Sequence, residues 1–141
     1  MCFECVRPTI VRKSKRDVRA YKIMKYQKPG VYRSPSREMV YRVEKGKVFH
    51  AVGEMFDRSF GGYIKRRLTS FTFRDGSVFE GLHTYRTLGR ARNYLNYERR
   101  ILEFVEFVIP KGTQYLENDT ERVSLQLRFV RVVPNKKRKT K

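Results

Sequence analysis

Tryptophan is absent from this 141-residue sequence, and cysteine, histidine and acidic residues are scarce. The two cysteines, Cys2 and Cys5, sit close together at one end. They are too few and too near each other to staple a fold, which fits a reducing compartment rather than a disulfide framework. Two histidines, His50 and His83, leave little material for a metal centre or for imidazole catalysis. No apolar run approaches the roughly 20 residues that a membrane helix needs, and the basic start lacks the apolar stretch of a signal peptide. The expectation is a protein without membrane insertion that stays where it is made or is packaged there.

Basic charge is what the sequence has in excess. There are 33 Lys plus Arg against 14 Asp plus Glu, a formal charge of +19. Residues 1–16 carry +4, residues 134–141 carry +5, and the body between them carries +10. A neutral domain with floppy basic tails would leave the middle near zero. Here the folded surface itself is expected to carry the field, and such self-repulsion costs stability unless an anionic partner neutralises it. Charge serving only to keep the protein soluble is the plainer explanation of the same numbers. With 40% apolar and 13% aromatic residues the chain has enough material for one modest core and is too hydrophobic to be disordered throughout.

Along the chain, residues 1–16 read as a basic N-terminal arm, residues 17–133 as one domain, and residues 134–141 as a basic C-terminal tail. Residues 21–26 read as a strand closed by the turn Lys28-Pro29-Gly30. Residues 39–43 and 47–52 read as two strands joined into a hairpin by Glu44-Lys45-Gly46. Residues 53–62 are irregular and marked by glycine, with Gly61-Gly62 a flexible loop. Residues 63–73 follow as a strand, and Arg74-Asp75-Gly76-Ser77 is the clearest hairpin turn. Thr87 is placed to cap a helix over residues 88–98. Leu88, Ala91 and Leu95 share one face of it, and Arg90, Asn93 and Tyr97 fall on the other. Residues 101–109 are apolar on both faces and suggest a central strand. Val123, Leu125, Leu127 and Phe129 alternate with polar residues at the period of a strand. Together these predict an α+β fold, a mainly antiparallel sheet with one principal helix and basic extended termini.

The cationic segments carry the most chemistry. Lys136, Lys137, Arg138, Lys139 and Lys141 form one dense run, and Arg12, Lys13, Lys15 and Arg16 form another. Extended arms of this kind track phosphates and release counterions. On the body, Lys65, Arg66 and Arg67 interrupt an aromatic strand, where they either meet a polyanion or protect an edge from aggregation. Arg90, Tyr94 and Tyr97 lie on the outward side of the expected helix. Arginine beside exposed tyrosine can stack on bases as well as pair with phosphates. Cys2 and Cys5 have the spacing of half a zinc site, but zinc asks for four ligands and the histidines match no familiar finger spacing. His83 stands just before the helix without a Ser/His/Asp order, a carboxylate cluster or a phosphate-cradling loop around it. No catalytic residue, metal or cofactor is assigned.

Four short stretches carry a resemblance: residues 41–48 (Tyr-Arg-Val-Glu-Lys-Gly-Lys-Val), Gly81-Leu82-His83-Thr84-Tyr85, Ala91-Arg92-Asn93-Tyr94, and residues 109–115 (Ile-Pro-Lys-Gly-Thr-Gln-Tyr). This succession resembles a group of small, poorly characterised domains of large DNA viruses, some phages and their bacterial hosts. The likeness spans roughly residues 39–133, departs at Thr84 where an aromatic is commoner, and leaves both basic ends outside. It implies a viral setting and a compact α+β module, and no catalytic residues. The function expected from charge and resemblance together is a non-enzymatic structural or binding protein, a minor virion or capsid-associated component. Its partners would be nucleic acid or acidic capsid proteins, met partly through extended termini, in the virion or in the cytoplasm or nucleus of the infected cell. A nucleic-acid-binding regulator or host-defence antagonist is the alternative. A diverged ADP-ribosyltransferase-like enzyme is a third, suggested by Arg42 after Tyr41 and by the stretch around His83, though no glutamate completes such a site.

Overall fold

The computed structural model describes residues 3–4, 11–34, 40–71, 73–74, 77–78, 81–93 and 102–134. In chain order the elements begin with β1 (Phe3–Glu4), β2 (Arg12–Lys13), β3 (Val18–Lys28), β4 (Val31–Arg33) and β5 (Val40–Arg42). Next come β6 (Val48–His50), β7 (Val52–Asp57), β8 (Gly62–Arg67), β9 (Phe73–Arg74), β10 (Ser77–Val78) and β11 (Leu82–Tyr85). The helix α1 (Leu88–Asn93) precedes β12 (Leu102–Ile109), β13 (Gln114–Glu117), β14 (Glu121–Ser124) and β15 (Gln126–Val133). The described residues are nearly all in antiparallel sheet, which corrects the expected α+β fold with a principal helix. Leu88 and Ala91 do pack as a helical face, and the Ala91 N–H donates to the Thr87 carbonyl at 3.1 Å. That helix spans only six described residues, and residues 94–98 of the expected one lie outside those described.

The main sheet runs β2-β13-β14-β11-β3-β12-β15-β6, with β4 continuing on β3 and β5 on β4. Its centre is β3 against β12, paired over eight residues from Val18↔Ile109 to Leu102↔Lys25. Residues of β12 are apolar in both parities because both faces are covered. Val105, Phe107 and Ile109 enter the main core with Ala20, Met24, Leu125 and Leu127. Phe104 turns the other way, against Val133 and the α1 residues Leu88 and Ala91. The expectation of a covered central strand holds.

One residue shapes the whole sheet. Four inter-strand steps separate β14 from β15 along the pairing path, about 19 Å in a flat sheet. Yet only Leu125 lies between Ser124 and Gln126, a reach of roughly 7 Å. The sheet therefore curls back on itself, and the run of residues 121–133 closes it by serving both ends. The alternation over residues 123–129 is real, since Val123, Leu125 and Leu127 are all buried. It belongs to two strands with different neighbours rather than to one.

Turns behave as their residues dictate, but partners do not always follow. Gly30, at φ 78°, completes the turn from β3 to β4. Gly46, at φ 82°, completes the turn at Glu44-Lys45-Gly46, where the Lys47 N–H donates to the Glu44 carbonyl at 2.9 Å. The strands on either side then separate, β5 to β4 and β6 to β15, so the expected hairpin is not one. Gly46 and Lys47 exchange backbone hydrogen bonds with Phe129 on β15, which draws β6 away from β5. The hairpin at Arg74 to Ser77 does form, pairing β9 with β10.

Candidate nucleic-acid interface

Two basic features stand on the described surface. The first is at one end of the sheet, where the 14–17 bend locks onto the 110–113 turn. Ser14 is buried, its hydroxyl donates to the Pro110 carbonyl at 2.6 Å, and its Oγ accepts from the Thr113 N–H at 3.0 Å. Its backbone N–H donates to the Thr113 carbonyl at 3.0 Å, and its carbonyl accepts from the Gly112 N–H at 2.8 Å. Every polar group of Ser14 is thus used, as burial demands. Asp17 accepts from the Lys111 N–H at 3.0 Å and pairs with Arg128. The Arg128 guanidinium, then the Lys111 N–H, hold the Asp17 carboxyl below its usual range. Arg12 and Lys13 pair in register with Tyr115 and Gln114 on β13. The final third of the expected arm is therefore bound to the body, and it presents Arg12, Lys13, Lys15, Arg16 and the neighbouring Lys111 to solvent.

The second feature is the β7–β8 hairpin, a two-stranded ribbon that pairs with no other described strand. Its register runs from Val52↔Arg67 to Asp57↔Gly62. At its root Ala51 is buried, accepting from the Leu68 N–H at 2.9 Å and donating to the Leu125 carbonyl at 2.9 Å. At its tip the Asp57 side chain accepts from the Ser59 N–H at 2.9 Å, the Ser59 hydroxyl at 2.6 Å and the Phe60 N–H at 3.4 Å. The Asp57 carbonyl accepts from Gly61, whose φ of 78° suits glycine. The Ser59 bonds, then that from Phe60, hold the Asp57 carboxyl low. A region expected to be irregular is an ordered strand and turn. Lys65, Arg66 and Arg67 are exposed on β8, and Arg58 is exposed at the tip.

Elsewhere the exposed cations include Arg19, Lys28, Arg42, Lys45 and Lys47, none of which sequence reasoning singled out as a polyanion contact. Among the described residues the ion pairs join Arg86 and Arg122 to Glu117, Arg128 to Asp17 and Arg131 to Glu106. Lys22 is spent internally, donating to the His83 carbonyl at 2.7 Å with its ammonium 5.7 Å from the Tyr41 ring centre. Burial, then Arg67, holds the His50 imidazole below its usual range, so it adds no charge at neutral pH. Tyr41 is buried against Phe49 and Phe107. Arg90 lies on α1. Tyr94, Tyr97, Lys136, Lys137, Arg138, Lys139, Lys141, Cys2 and Cys5 lie outside the described residues. Among the described residues no cluster of His, Cys, Asp and Glu is arranged to hold a metal, and no helix is long and apolar enough to cross a membrane.

Set against protein-family models, curated proteins and solved structures, the chain matches none of them.

Proposed function

We propose that the protein is a non-enzymatic nucleic-acid-binding protein, structural in role, whose folded surface engages phosphates without reading sequence. The observation that carries this is the excess of exposed cation on the ordered body. Four arginines take part in ion pairs among the described residues, whereas Arg12, Lys13, Lys15, Arg16, Arg19, Lys28, Arg42, Lys45, Arg58, Arg66, Arg67 and Lys111 are exposed and outside them. Seven of those twelve are arginines, whose planar guanidinium can grip a phosphate bidentately. A packaging or virion-associated role, as the viral resemblance implies, would put such a surface to use.

Fluorescence anisotropy with labelled 20-nucleotide single strands and duplexes tests the proposal. Binding should be insensitive to sequence and should fall log-linearly with salt, since each neutralised phosphate releases counterion. Absence of binding at low salt would refute it.

A further inference from the structure

Five of the eight large apolar side chains most exposed on the described surface lie in the β7–β8 hairpin: Val52, Met55, Phe56, Phe60 and Tyr63. Phe60 and Tyr63 are each 70% exposed and Phe56 55%. Phe56 and Tyr63 are cross-strand partners whose rings meet edge-on at 5.5 Å. An isolated two-stranded ribbon is only marginally stable in water. This one is nevertheless clamped at its root by Ala51 and Leu68 and at its tip by Asp57. The fold thus holds three aromatic rings in solvent on a stiff support, with Arg58, Lys65, Arg66 and Arg67 within the same ribbon.

We infer that this hairpin is a base-stacking arm for single-stranded nucleic acid, with Phe60 and Tyr63 offering faces to unpaired bases and Arg58, Lys65 and Arg67 taking the flanking phosphates, Lys65 and Arg67 sharing the Tyr63 face of the ribbon. The inference rests on the nucleic-acid reading above and specifies where the bases go. Charge complementarity selects the occupant: the ribbon carries four cations against Glu54 and Asp57, and Asp57 is committed to the tip turn. A second copy of the chain would bring the same cations against themselves. Stacking on aromatic side chains needs a base face that is free, which an unpaired strand provides and an undistorted duplex hides. Stacking accepts the face of any base, so the arm should tolerate any sequence.

The test uses the full chain and Phe60→Ala, Tyr63→Ala and Phe60→Trp, with anisotropy on a labelled oligothymidylate and on a duplex of equal length. Each alanine variant should weaken single-strand binding by about fivefold or more while leaving the salt slope unchanged. Duplex affinity should hardly move, and Phe60→Trp should retain binding because the larger ring still stacks. Lys65→Gln with Arg67→Gln should instead reduce the slope. These side chains are exposed, so thermal melting should stay close to the wild-type value, Tyr63→Ala losing only its cross-strand contact with Phe56. Wild-type single-strand affinity in both alanine variants would overturn the arm while leaving the general nucleic-acid reading intact. Equal losses on duplex and single strand would also overturn it, as would a wild-type dimer in sedimentation that the alanine variants convert to monomer. Failure of the wild-type chain to bind any nucleic acid would remove the broader proposal along with it.

Discussion

Replacing Arg12, Lys13, Lys15 and Arg16 together with glutamine, while keeping Ser14, isolates the charge of the sheet-end cluster from the structure that holds it. All four side chains are exposed, whereas the bonds that fix the bend belong to Ser14 and Asp17. The fold should therefore survive. Each phosphate contact on a single strand contributes about 0.7 to the slope of log affinity against log salt, so four contacts contribute about 2.8. Raising salt from about 50 to about 200 mM is a change of about 0.6 in its logarithm, so the wild-type chain should lose about fifty-fold more affinity than the variant over that range. Anisotropy titrations at four or more salt concentrations give both slopes, with circular dichroism to verify folding. Parallel lines from two folded proteins would show that this cluster makes no phosphate contacts, and would refute the step from exposed charge to anionic partner at the sheet end.

Leu127→Ala removes a side chain with no exposed surface from the main core. It should cost about 2–5 kcal/mol in urea denaturation, and a cost below about half a kcal/mol would contradict the burial of β15. Gly81→Ala should destabilise strongly, because its added carbon would lie 2.3 Å from Cγ1 of Val123 at a φ of 152°; an unchanged melting temperature would mean that β11 and β14 are not packed as described. Because the Asp17 carboxyl is held low by Arg128, its stabilisation is present above the ordinary value of 3.8 and is lost as pH falls through the depressed one. Asp17→Asn should accordingly lower stability at neutral pH and flatten the acid limb of the melting curve, and identical acid limbs would count against the Arg128 pair.

Local chemistry in the sequence was a good guide to turns and a poor guide to partners. The turns at Gly30 and Gly46 were legible because left-handed backbone requires particular residues, and the turn signal between Arg74 and Ser77 anticipated the pairing of β9 with β10. Nothing around Gly46 says that β6 will leave β5 for β15, since the bonds responsible come from Phe129, more than eighty residues away. The alternation through Leu125 likewise records which side chains are buried but not that the strand changes neighbours there. Leu88 and Ala91 have the spacing of a helix and form one, yet spacing does not report length. The site divides in the same way. Lys65, Arg66 and Arg67 were visible as a run of charge, and they are exposed. Phe56 and Phe60 were missed because an isolated ribbon leaves aromatic residues in water, against the usual rule of burial. The Asp57-Arg58-Ser59 sequence, an acceptor side chain two residues before a donor, was the available sign of an ordered tip.

The closing role of residues 121–133 also has a bearing on how the molecule is made. Among the described residues strand β6 finds its ladder partner only in β15, and β12 lacks one neighbour until the same segment arrives. During synthesis the earlier strands must wait, with β12 and its apolar row partly uncovered, until β15 has followed them out of the ribosome. Assembly should thus be late and concerted, governed by one distant pairing rather than by stepwise growth from the N-terminus.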